Sequence, residues 1–121
     1  AADIKYYRKQ SAQLASKMRY LSAQFIPYLD GLWLRNAQHA NRQARRLAAA
    51  LARFPQLRLT QPVETNQLFI AMPRTVIARL SERYFFYVWN EAADEVRFVT
   101  SWDTTDEDID ALVDALAEIM E

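Results

Sequence analysis

The sequence predicts an α+β two-layer sandwich, a small and mainly antiparallel sheet with helices on one face. Apolar residues recur at helical spacing in two long segments near the start of the chain and in one at its end. Between these lie four short runs read as strands, at 57–60, 66–71, 84–89 and 95–100, of which the last two are rich in β-branched and aromatic residues. The last two are separated only by the turn-forming residues 90–94, so they form an antiparallel pair.

Residues 4–29 read as a basic helix, with Leu14, Met18, Leu21, Phe25 and Leu29 on one stripe among Arg8, Lys9, Lys17 and Arg19. Pro27 shortens its last turn. After Asp30 and Gly31 a second helix runs to about Phe54, its inward face being Leu34, Ala37, Ala40 or Asn41, Ala44, Leu47, Ala48 and Leu51. Pro55 ends it, Leu57 to Thr60 is a short strand, and Asn66 to Ala71 is the strongest apolar strand. Pro73 suits the first turn of a helix through Val76, Ile77 and Leu80. An aromatic strand, Tyr84 to Trp89, and the strand Glu95 to Thr100 follow. Thr104 with Glu107 is read as a capping box opening a last helix whose stripe is Ile109, Leu112, Val113, Leu116, Ile119 and Met120.

A chain of 121 residues suits one compact domain. No apolar run reaches membrane-spanning length and the start lacks a secretory signal, so the sequence reads as cytoplasmic, without a membrane partner. No cysteine and one histidine, His39, leave no disulfide framework, thiol nucleophile or zinc cluster, and no metal site is expected. A single glycine, Gly31, excludes glycine-rich phosphate loops. Net charge is zero, yet residues 1–58 hold eleven Lys and Arg against two Asp, whereas residues 59–121 hold four Arg against thirteen acids. Mutual neutralisation of charged helices, or a partner surface, explains the split better than a nucleic-acid arm.

Arg97 is the residue to explain in the strand 95–100. At period 2 its guanidinium leaves the sheet on a definite face, and its planar fork suits bidentate capture of a carboxylate or phosphate. The alternative is an edge-strand charge that discourages sheet-to-sheet association. The aromatic run at 84–89 is either a stacking platform or core, and core packing is the stronger reading. The acids from Asp103 to Asp114 lack the glycine and spacing of a calcium loop and read as a solvated helix face. No serine has a nucleophile-elbow setting, and residue chemistry alone specifies no reaction.

The runs Tyr6-Tyr7-Arg8-Lys9-Gln10-Ser11, Ser16-Lys17-Met18-Arg19-Tyr20-Leu21, Leu32-Trp33-Leu34-Arg35-Asn36-Ala37, Val63-Glu64-Thr65-Asn66 and Val96-Arg97-Phe98-Val99-Thr100-Ser101 carry a family likeness. Taken in order, they resemble the C-terminal part of the threonine aldolase and phenylserine aldolase group. The resemblance implies a C-terminal fragment of a pyridoxal 5'-phosphate lyase of the aspartate-aminotransferase-like fold type I, a beta-eliminating lyase that cleaves β-hydroxy-α-amino acids to glycine and an aldehyde. Residues 1–30 would be a long basic helix that connects to and packs on a large cofactor domain upstream. The resemblance makes Arg97 the binder of the substrate carboxylate and places Arg8, Lys9 and Lys17 near the cofactor phosphate. This chain departs from the family's usual glycine triplet, having Ala12-Gln13-Leu14-Ala15 before Ser16 and Lys17, closer to the phenylserine-aldolase-like branch. The Schiff-base lysine would lie upstream, leaving this chain with no catalytic residue, no bound cofactor and no activity of its own. The parent would be a homo-oligomer acting on a small amino acid, with nucleic acid not a partner. The alternative function is a stand-alone nucleic-acid or protein-binding module using the basic N-terminal helices.

Overall fold

A computed structural model describes residues 3–10 and 16–121, apart from the side chains of Lys5 and Lys9. The chain divides into two compact units, the first ending at Trp33 and the second running Leu34–Glu121. A single unit is the expectation from length.

In the first unit, helix α1 spans Ile4–Gln10 and α2 spans Met18–Pro27. The continuous helix expected over 4–29 does not form, because Lys17 adopts a left-handed backbone with φ of 57° immediately before α2. Such a conformation is uncommon for a residue with a Cβ and cannot continue a helix. Leu14 of the expected stripe lies outside the described residues. The rest of that stripe, Met18, Leu21, Phe25 and Leu29, is exposed, and α2 buries no residue. A wide turn over Tyr28–Leu32 follows, where Gly31 takes a φ of 87° that a side chain would disfavour.

The second unit contains nearly all of helix α3, Trp33–Leu51, then strands β1 (Arg58–Leu59) and β2 (Gln67–Ala71). Helix α4 (Arg74–Ser81), strands β3 (Tyr87–Asn90) and β4 (Glu95–Val99), and helix α5 (Asp106–Met120) complete it. The sheet is antiparallel throughout in the order β1-β2-β4-β3, with Phe69 opposite Arg97 and Tyr87 opposite Arg97 from the other side. Leu68, Ile70, Val96 and Phe98 point to one face, where Ala44, Leu47 and Leu51 of α3, Val76 and Leu80 of α4, and Ile109, Val113 and Leu116 of α5 close the core. The fold is the expected α+β sandwich with helices on one sheet face.

Three boundaries differ from expectation. The inward face of α3 begins at Ala40, since Leu34 and Ala37 are exposed, and it includes Gln43. The third strand starts at Tyr87 rather than Tyr84, and only its preceding residues Tyr84 and Phe86 pack against the core. The capping box of α5 is Thr105 with Asp108, one residue later than Thr104 with Glu107. Thr104 instead accepts a hydrogen bond of 2.9 Å from the Ser101 amide, which shapes the turn and moves the cap along by one.

Candidate functional site

Alternation along β4 sends Val96 and Phe98 into the core and Arg97 onto the opposite, helix-free face of the sheet. Across β3 the register shifts between Val88 and Asn90, so Trp89 is the extra residue of a β-bulge. A bulge re-aims the side chain it carries. Here the Arg97 guanidinium carbon lies 5.0 Å from the centre of the Trp89 ring and 5.1 Å from that of Tyr87. Each ring is braced in turn. Phe69 on β2 meets Trp89 edge-on at 5.4 Å, and Phe85 meets Tyr87 edge-on at 5.3 Å.

Arg97 has no hydrogen bond or ion pair among the described residues, and its Nε is buried without a partner. The residue as a whole is half-buried, so it is Nε, the inner nitrogen of the guanidinium, that is shown to be closed off. Three other arginines of this unit are ion-paired. Arg74 pairs with Asp94 at 2.6 Å and Arg83 with Glu118 at 2.7 Å. Arg46 bridges Asp106 at 3.2 Å and Asp110 at 2.8 Å, and its hydrogen bond to Asp110 raises its pKa above the ordinary arginine value. Arg97 therefore retains free donors of the kind an external anion needs. Beside it a cleft of about 630 Å³ is lined by Tyr84, Tyr87, Arg97, Val99, Asp108 and Leu112 among others.

The other expected cations belong to the first unit. Arg8 and Lys17 are exposed cations of the first unit, and the Lys9 side chain lies outside the described residues. Several acids of the last helix are engaged structurally, and Glu107 and Asp114 are exposed. Asp106 and Asp110 hold Arg46, Asp106 also accepts from Gln43 at 2.8 Å, and Asp108 closes the cap. Among the described residues no group of three His, Asp or Glu could hold a metal ion. The basic character of α3 is thus partly neutralised by α5, as the charge split suggests. His39 hydrogen-bonds through Nε2 to the carbonyl of Thr104 at 2.7 Å and serves the turn before α5.

The aromatic partners of Arg97 are the feature sequence reasoning misassigned. Phe86 does pack edge-on against Phe98 at 5.4 Å, as a core residue should, but Tyr87 and Trp89 are more than half exposed on the open face. The available signal was alternation within 84–89, which separates the two sets.

No protein-family profile matches the chain. It is 37% identical over 121 residues to a low specificity L-threonine aldolase of a Pseudomonas species, covering 99% of this chain and 35% of that protein. It is 43% identical over 105 residues to the low specificity L-threonine aldolase of Pseudomonas aeruginosa, covering 86% and 30% respectively. The chain spans about a third of the length of these curated relatives. Among solved structures, a threonine aldolase of Leishmania major matches with a TM-score of 0.61 and 30% identity, over 69% of this chain and 25% of that one.

Proposed function

We propose, on the premise that this chain belongs to the threonine aldolase family, that it forms the small C-terminal domain of a pyridoxal-phosphate lyase that cleaves β-hydroxy-α-amino acids to glycine and an aldehyde. Similarity to two low specificity L-threonine aldolases along nearly the whole chain supports this reading. The observation that carries it is Arg97, a half-buried cation on the open face of the sheet with no hydrogen bond or ion pair among the described residues. A cation in this state fits an anion that the folded domain does not provide. The α-carboxylate of an amino acid matches the planar fork in both shape and charge. Arg97 is thus the carboxylate anchor, and by fixing one end of the substrate it restrains the direction of the Cα–Cβ bond.

The cofactor phosphate fits the exposed cations of the first unit, Arg8 and Lys17, together with Lys9. When bound, pyridoxal phosphate supplies the electron sink for the pair released as the Cα–Cβ bond breaks. Its Schiff-base lysine belongs to the large domain of the parent enzyme, so this chain alone binds no cofactor specifically and is inactive. The parent is a cytoplasmic homo-oligomer in which this domain packs on its own large domain. The stand-alone binding-module alternative has no support from the relatives, which are aldolases.

The test is Arg97→Leu in the intact enzyme that carries this segment. Loss of a charge-assisted, bidentate contact lowers kcat/KM by about 100-fold with cofactor content unchanged. A value within about threefold of the parent would remove Arg97 from the substrate site.

A further inference from the structure

We propose that Tyr87 and Trp89 are positioning residues for Arg97, holding its guanidinium so that a carboxylate is met end-on by the two terminal nitrogens. The inference rests on the reading of Arg97 as carboxylate anchor and adds how that anchor is aimed. A continuous line of contacts, Phe69 to Trp89 to Arg97 to Tyr87 to Phe85, crosses the open sheet face with the guanidinium at its middle. Aromatic rings attract a cation through their faces and take none of its hydrogen-bond donors. A carboxylate neighbour would orient the guanidinium equally well, but it would occupy the donors that the ligand needs. Arg46, Arg74 and Arg83 are held in that second way, and Arg97 is held in the first.

The approach geometry follows from burial. Side-on capture uses Nε with one terminal nitrogen, and Nε is closed off from solvent. End-on capture uses the two terminal nitrogens and needs nothing of the closed-off Nε, on a residue that is only half-buried. Trp89 reaches the guanidinium because the bulge displaces it from regular pairing, and Phe69 keeps its ring there. Without the two rings, a side chain with four rotatable bonds would sample several rotamers above the sheet.

The spectroscopic test uses the arginine Nε–Hε resonances of the 121-residue chain. Arg97, identified by the signal lost in Arg97→Lys, is expected outside the cluster of exposed arginines because of ring currents. Trp89→Leu and Tyr87→Leu should each move it toward that cluster, while Trp89→Phe keeps most of the displacement. Both rings are more than half exposed, at 53% and 55%, so truncation leaves the core intact, and the backbone spectrum reports this directly.

In the intact enzyme, Trp89→Leu should weaken glycine binding about tenfold, the effect of a partly desolvated cation–π contact, and leave methylamine, which lacks a carboxylate, unchanged. Equal weakening of both ligands, or an unmoved Arg97 resonance in both leucine variants, would overturn the positioning role. If Arg97→Leu itself leaves the preference for glycine over methylamine intact, the failure belongs to the anchor reading.

Discussion

The buried hydroxyl of Thr100 donates a hydrogen bond of 2.8 Å to the carbonyl oxygen of Ala40, tying the chain just past β4 to the middle of α3. The Thr100 amide donates to the Asn66 carbonyl at 2.9 Å, and the Asn66 side-chain amide returns a bond to the Thr100 carbonyl at 2.8 Å. Arg97 thus sits three residues before a point fixed both to the residue preceding β2 and to α3. Thr100→Val keeps the shape and removes the donor, so it should cost about 1 kcal/mol. Urea unfolding measures this, and an unchanged midpoint would mean the bond contributes nothing net.

Much of this fold is legible from periodicity, because one sheet face and one helix stripe must be apolar. The stripe of α5 and the core residues of β2 and β4 follow from spacing alone. The face carrying Arg97 is less legible. Tyr87, Trp89 and Phe85 are as apolar in composition as core residues, yet they lie on the exposed side. Alternation within 84–89 separates these residues from Tyr84 and Phe86, but which set faces outward is fixed by the pairing of β3 with β4, which a local pattern does not encode. The break before α2 was hidden for a similar reason: helical spacing continues through Lys17 although its backbone does not.

Core and open face should respond differently to truncation. Leu68 is fully buried between β2 and the helices, so Leu68→Ala should cost about 3 kcal/mol through lost contact and a residual cavity. Val99 points outward and is 52% exposed, and Val99→Thr should change stability by less than about 0.5 kcal/mol. Equal effects at the two positions in chemical denaturation would contradict the assigned sheet faces.

The cap of α5 predicts an acid-sensitive contribution. Hydrogen bonds from the Thr105 backbone, and then its side chain, hold the Asp108 carboxyl below its ordinary pKa. A depressed folded-state value means the stabilisation is complete above the unfolded value, about 4, and is lost as pH falls through the folded one. Asp108→Asn should therefore be less stable than the parent chain at pH 7, with the gap closing at acid pH. A gap in the urea midpoint that stays constant from pH 7 to below the folded value would show that the carboxylate charge is not involved.

The lysines give the sharpest test of the proposed small-domain reading. All three, Lys5, Lys9 and Lys17, precede the sheet unit, and Lys17 is exposed to solvent. A lysine suited to Schiff-base chemistry is desolvated or set beside another cation that lowers its pKa, and it is surrounded by groups that orient the cofactor ring. Incubation with pyridoxal phosphate, borohydride reduction and peptide mass analysis should yield only partial labelling spread over these lysines. The same treatment of the intact enzyme should label one lysine outside this segment stoichiometrically. Stoichiometric labelling of one lysine within the isolated chain would instead mean that it builds a cofactor site itself, and the small-domain assignment would have to be abandoned.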